Sequence, residues 1–344
     1  MKLRRYHLGL RTEKSFLARR QGSRWIRRRA RGRSGRPVKP VVGAGWRITF
    51  ERVPLNDDEV TQVNTEPILH APSILAASRV ALLIYAAHSA LEGCLPGVFV
   101  RAFAPYLPAP LDESESAGLD QLELQAIQER GILQMATVEA ACRFAAKLSR
   151  DIDGHYACLK LLLSYADYSF HPSELHPEYG QRGFVQSDAA FDHIVWARAI
   201  TAAYGAVEEL GLEVRTKKGQ PSVIDGKWEP SCLEDLEGRL QKRGINLRDR
   251  QIWTVRGSRR AIQKLTAERL LSRQRASWSK GPHVRDVSAP LVDTINAASR
   301  LRSTVAAHRA QALRRRLSPV DVHNVQMVAR RLLMESFGEW RRTD

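Results

Sequence analysis

The chain has 344 residues, 43% of them hydrophobic and 26% charged, which supplies apolar material for one large core or two smaller ones and excludes a fully disordered or collagen-like chain. Its 54 lysines and arginines against 37 aspartates and glutamates give +17 at pH 7, yet fifteen bases and a single acid, Glu13, fall in residues 1–45, so the other 299 residues carry only +3. Charge concentrated at a terminus weakens the case for a basic groove built into the fold.

Residues 1–45 are expected to form a disordered basic arm, because WIRRRARGRSGRPVKP has no sustained apolar period and cannot bury a core. Three readings compete for it: an arm adding salt-sensitive affinity for RNA or DNA, an organellar transit peptide, or translation from a start codon placed too early. Trp46 to Val53 alternates at period two and reads as a short strand or extended lead-in. Residues 71–95 read as a buried helix, with Pro72 at its first turn, Gly93 and Pro96 as its stop, and Ser78, Leu82, Tyr85, Ser89 and Glu92 along one stripe.

The Pro-rich 102–116 stretch reads as a turn or loop, 119–148 as one long or two shorter helices, and 155–165 as a short helix. Residues 167–187 are expected to be an ordered loop. Residues 188–212 again read as helix, with Phe191, Val195, Ala199 and Ala202 on one face and Val207 and Leu210 extending it. Between 213 and 228 the Asp225-Gly226 pair suggests a small hairpin. Residues 231–243 and 259–273 read as charged amphipathic helices. In the C-terminal part, Leu291, Ile295, Ala298, Leu301 and Val305 recur at three and four, predicting a helix over 289–313. Ser318-Pro319-Val320-Asp321 is a capping box with proline at the first helical position, starting a helix that carries Val325, Val328, Leu332 and Leu333 inward, with Phe337 and Trp340 apolar enough to dock.

Cys94, Cys142, Cys158 and Cys232 lie far apart with no C-x-x-C pair, which predicts buried thiols in a reducing, cytoplasmic setting. The most apolar run, Val80 to Ala87, is eight residues long, well short of the roughly 20 a membrane span needs, so no membrane partner is expected. No Gly-rich phosphate loop occurs, and no cofactor is expected. His171, Glu174, His176 and Glu178 offer metal-ligating side chains, but on a proline-stiffened loop, and no metal site is assigned. His88, within an apolar helix, reads as a hydrogen-bonded core histidine. Trp228, Trp253 and Trp278 fall in a basic middle region and either stack RNA bases or serve as core residues.

Arg302 and His308 stand three residues before and three after Val305, so on a continuous helix they flank the apolar stripe at about 60° on either side. An imidazole with an ordinary pKa of about 6.5 moves protons at neutral pH, and a guanidinium holds phosphate and offsets charge developing on it. With the 2′-hydroxyl of RNA as nucleophile, such a pair cleaves RNA without a metal. The same spacing also occurs at Arg150 with His155 and Arg316 with His323, but Gly154 and Pro319 interrupt those. A structural role, with Arg302 snorkelling from the seam, competes with the catalytic one.

The segment SRLRSTVAAHRAQALRRRLSPVDVHNVQMVARRLL resembles the closing part of HEPN-superfamily proteins, a helix with an R-x(4–6)-H motif followed by a polar break and an S-P-x-D helix; SRVALLIYAAHSALEGCL resembles an early helix of the same families. The resemblance covers residues 70–95 and 289–340. It implies an all-helical, HEPN-like bundle that dimerises at its R…H motifs, with metal-independent endoribonuclease activity in toxin or antiviral defence, and in some members an inactive scaffold or sensor of RNA or nucleotide. It makes Arg302 and His308 the catalytic pair, tuned by Glu92 as acidic partner and by Ser303, which stands where the family most often has Asn or Asp. Arg300, Arg309 and Trp278 are candidate RNA contacts. The expected architecture is mainly α: arm 1–45, first bundle part 46–166, inserted helical and hairpin region 167–285, and motif helices 286–344. Expected partners are RNA, a second copy, and a possible antitoxin or defence protein; a purely arm-driven nucleic-acid binder is the remaining alternative.

Overall fold

In the computed structural model the residues described are 3–8, 11–12, 16–21, 24–27, 39–56, 60–95, 109–110, 132–133, 135–169, 189–216, 220–265, 270–271, 281–303 and 317–340. The protein is mainly helical, with eight helices among these residues. It divides into two compact units, Met1–His155 and Tyr156–Asp344.

The first unit is built on a sheet that the sequence reading did not foresee. Its strands are β1 (Arg4–His7), β3 (Phe16–Gln21), β4 (Arg24–Arg27), β5 (Val41–Gly43), β6 (Trp46–Asn56), β7 (Val60–Ala71) and β8 (Ala109–Pro110); β2 (Arg11–Thr12) pairs separately with β9 (Ile132–Leu133). β7 is the hub. β6 runs antiparallel along one edge, from Arg47 opposite His70 to Asn56 opposite Thr61, while β1 and β3 share the other, Arg4 opposite Ala71 and Phe16 opposite Val63. The expected disordered arm is corrected where it is described: Arg4–His7, Arg11–Thr12, Phe16–Gln21, Arg24–Arg27 and Val41–Gly43 are strands, and Tyr6 and Leu8 are fully buried, while residues 28–38 of the arm lie outside the described residues. A basic strand whose alternate positions are apolar is stabilised by a partner far along the chain, which a local charge count does not register.

Helix α1 (Ile74–Glu92) starts at Ser73, whose hydroxyl accepts from Ala76 N at 3.2 Å, and stops at Gly93. It packs on β7 and on α2 (Met135–Leu148). Its buried face carries Ala77, Ala81, Ile84 and Ala87; of the expected stripe, Tyr85 and Ser89 are buried while Ser78 and Glu92 face outward. By length and composition α1 is apolar enough to cross a membrane, with mean hydropathy 1.6, and 61% of that window is buried inside the protein. This corrects the expectation that no segment reaches that length. Cys142 and Cys158 are buried as expected, but Cys94, just beyond α1, is exposed.

His88 on α1 is 2% exposed and lies 3.8 Å from Glu92. Burial holds its imidazole down, to about 4, below the ordinary value near 6.5, so the folded chain binds this proton more weakly than the unfolded one. The stability contributed by neutral His88 is fully present above about pH 6.5 and is lost as pH falls toward about 4, up to about 3 kcal/mol. Melting profiles should steepen across that window and flatten there in His88→Gln; an unchanged acid limb in the variant would remove His88 from the account.

The second unit is helical, with a short hairpin and a longer β-ribbon among its described residues. α3 (Ile152–Ser169) and α4 (Ala189–Glu209) run antiparallel, and α8 (Pro319–Ser336) packs on α4. A buried polar link joins all three: the Ser164 hydroxyl donates to Ala199 O at 2.7 Å and accepts from Gln326 Nε2 at 3.0 Å. The capping box forms as expected, with the Asp321 carboxylate accepting from Ser318 N at 3.0 Å, and Val325, Val328, Leu332 and Leu333 are fully buried. The expected hairpin is β10 (Val223–Ile224) with β11 (Lys227–Trp228), turning through Asp225 at φ 50° and Gly226 at φ 78°, the paired positive φ of a type I′ turn. It precedes α5 (Pro230–Lys242).

β12 (Arg250–Gly257) and β13 (His283–Pro290) form an eight-pair antiparallel ribbon, flanked by α6 (Arg259–Gln263), α7 (Leu291–Leu301) and α8. The edge of β12 is closed by α8 side chains: the Asn324 amide accepts from Thr254 N at 2.9 Å and donates to Thr254 O at 2.7 Å. At the entry to β13, Gly281 has φ 134°, and a Cβ there would stand 2.4 Å from Gly257 O. Gly281→Ala should cost about 1–3 kcal/mol in denaturant unfolding, whereas Gly238→Ala, where a Cβ meets nothing within 4 Å, should not lower stability.

Candidate functional site

The apolar stripe of α7 is in place: Leu291, Ile295, Ala298 and Leu301 are at most 1% exposed. Packing that stripe sets the direction of the residues that follow. Arg302 continues with helical backbone, φ −62° and ψ −50°, and its half-exposed side chain pairs with Glu208, at the C-terminal end of α4, with Nη2 3.3 Å from Oε1. The Ser303 hydroxyl is exposed and donates back to Ser299 O at 2.9 Å. Ser299 also hydrogen-bonds Tyr204, whose phenol is raised above its ordinary range chiefly by burial. Arg300 points elsewhere, donating to Leu271 O at 3.2 Å, so its guanidinium fastens the chain beside α7.

His308, Arg309, Trp278 and Val305 lie outside the described residues, as does the His171, Glu174, His176, Glu178 group. Glu92 belongs to the first unit, where its partner is His88. The carboxylate paired with Arg302 is Glu208, which the sequence reading passed over between Val207 and Leu210. Of the tryptophans, Trp253 is 1% exposed in the core, and Trp228 donates from Nε1 to the Asp293 carboxylate at 2.8 Å. Burial raises Asp293, against that hydrogen bond and the Arg250 charge.

Glu208 also lines a groove of about 540 Å³ along α3 and α4. Leu163 and Ile194, each 51% exposed, give it an apolar floor. Its charged residues are engaged in pairs, Arg198 with Asp167 at 2.8 Å and Lys160 with Glu209 at 2.6 Å. Burial raises Asp167, opposed by the Arg198 charge, and lowers His193, whose Nδ1 has no hydrogen-bond partner. The exposed apolar residues at helical spacing were the available signal for this groove; a sequence pattern alone reads them as core. Among the described residues no cluster of three or more His, Cys, Asp or Glu side chains is arranged to hold a metal ion.

No family model matches this chain, and neither a curated protein nor a solved structure shows significant similarity to it.

Proposed function

We propose that the protein is a metal-independent endoribonuclease of HEPN type, acting as a homodimer in a toxin or antiviral defence role, with Arg302 and His308 as its working pair. The observation that carries the reading is the setting of Arg302: a half-exposed guanidinium directly after a helix whose apolar stripe is wholly buried, a rigid mount for a phosphate-binding cation. His308 takes the proton from the RNA 2′-hydroxyl as that oxygen attacks the adjacent phosphorus; the P–O5′ bond breaks, the departing 5′-oxygen takes a proton from water, and the His308 imidazolium returns its proton to the solvent. Arg302 offsets the charge that builds on the phosphoryl oxygens. The products are a 2′,3′-cyclic phosphate and a 5′-hydroxyl. Total RNA and tRNA incubated with the purified chain in EDTA, followed by end-group analysis, tests this; ends of any other type overturn the mechanism.

A second reading, an inactive HEPN-like scaffold or an RNA or nucleotide sensor, is favoured by one specific contact. Glu208 occupies the guanidinium of Arg302 and competes with phosphate for it. Under that reading Glu208→Gln strengthens nucleotide or RNA binding without producing cleavage.

A further inference from the structure

The near-neutral charge of residues 46–344 hides a second basic concentration. From Lys242 to Lys264 there are eight bases and one acid, Asp249, and that acid is engaged by Arg331 at 3.4 Å. Arg248, Arg250, Arg256, Arg259, Arg260 and Lys264 form no ion pair among the described residues, and all but the half-buried Arg256 are exposed.

We infer that the outward face of the β12–β13 ribbon is a docking surface for the sugar-phosphate backbone of a nucleic acid strand. The two faces of β12 have separate tasks. Gln251, Trp253 and Val255 point inward and are buried, leaving Arg250, Ile252, Thr254 and Arg256 on the outer row, which the core does not use. Arg250 and Arg256 are six residue steps apart along β12, about 20 Å, which along one strand of a helical nucleic acid is the reach of about six phosphates. Arg248 extends the row at one end, and Arg259, Arg260 and Lys264 at the other.

The two arginines on the row are already oriented. Arg250 donates to the Ser288 hydroxyl at 3.1 Å and to Ser288 O at 2.7 Å, and Arg256 donates to Gly281 O. Holding them lowers the ordering cost of binding. Exposed Ile252 and Val284 lie on the same face and offer apolar contact to sugars and bases. Asp286, to which the Thr254 hydroxyl donates at 2.6 Å, is the one acid on the outer row of β13, and the bases along the row outnumber it. Concentrated, unpaired positive charge is a self-repulsion that a polyanion relieves. β13 leads straight into α7, and Arg302 stands at its far end, eleven residues or about 16 Å away; a strand anchored on the ribbon is thereby delivered to the proposed cleavage pair. The identification of the nucleic acid as RNA rests on the ribonuclease reading; the affinity of the ribbon for a phosphate backbone does not.

The test uses the full chain and a fluorescein-labelled, uniformly 2′-O-methylated RNA strand, which cannot be cleaved by 2′-hydroxyl attack, so binding is read apart from activity. Anisotropy titrations between about 50 and 200 mM salt compare the parent with the quadruple variant R248Q/R259Q/R260Q/K264Q, made only at exposed positions. A control variant, R47Q/R79Q/R143Q/K147Q, removes the same net charge from exposed residues of the first unit. The expected result is affinity at least about tenfold weaker at the lower salt, and a slope of log K against log salt shallower by about three, for the ribbon variant alone. Equal losses in both variants, unchanged binding in the ribbon variant while its melting matches the parent, or displacement of the RNA by poly-glutamate at matched charge would each overturn the inference.

Discussion

His308→Ala lowers the rate of RNA cleavage in EDTA by about 10²–10⁴-fold. Arg302→Ala costs about 10²–10³-fold by removing the positive charge beside the developing phosphorane. Glu208→Gln moves the other way: relieved of its carboxylate partner at 3.3 Å, the guanidinium is freer to meet phosphate, and KM falls. The three variants together separate chemistry from binding. Activity that survives His308→Ala sinks the assignment of the general base, and a Glu208→Gln form that raises KM shows that the carboxylate positions Arg302 rather than competing for it. The comparison uses the full chain, because Arg4–His7 pair in register with Ile68–Ala71 and Tyr6 and Leu8 are fully buried; removing residues 1–45 would strip strands from the sheet of the first unit.

How much of this was legible depended on how far apart the interacting residues lie in the chain. The capping box at Ser318 and Asp321, the Asp225-Gly226 turn and the α7 stripe are settled within a few residues, and each is found where its pattern puts it. The 250–257 strand was hidden by chemistry at both faces: a polar Gln251 points inward and an apolar Ile252 outward, which blurs the alternation that marks a half-buried strand. Gln251 is tolerated inside because its amide oxygen accepts from Arg331 at 3.1 Å. Residues 4–27 were unreadable for a different reason. Strands β1 and β3 find their partner in β7, β4 in β3 and β2 in β9, and nothing local in an Arg-rich sequence specifies a register.

The candidate site divides along the same line. Arg302 and Ser303 were reachable from periodicity, since they follow a helix defined by its own stripe. Glu208 was not, because the closing turn of α4 meets the end of α7 only through tertiary packing. The basic ribbon does not show in the net charge of residues 46–344, because a hairpin concentrates on one face what the sum over the chain dilutes.

The largest loss of stability is expected at Arg331→Ala, about 3–5 kcal/mol. Arg331 is 3% exposed on α8 and serves several elements at once. Nε donates to Glu335 at 2.7 Å, Nη1 to Arg250 O at 2.6 Å and to Gln251 Oε1 at 3.1 Å, and Nη2 lies 3.4 Å from Asp249, while the ring of Trp340 sits 5.9 Å from the guanidinium carbon. Truncation removes the counter-charge beside Glu335 and one of the partners of Asp249, and takes the donor from the inward Oε1 of Gln251, which is costlier than the net worth of the intact cluster. Arg331→Lys should recover less than half of the loss, because a single ammonium cannot serve acceptors spread around a planar fork. Arg331→Met fills much of the volume, so the difference between it and Arg331→Ala isolates packing from charge. Equilibrium unfolding in urea, followed by the fluorescence of buried Trp253, reads all three. A loss under about 1 kcal/mol in Arg331→Ala, the scale of a surface ion pair, would mean that Asp249 and Glu335 find water when the arginine is removed, and that the ribbon is held to α8 by Asn324 and apolar packing alone.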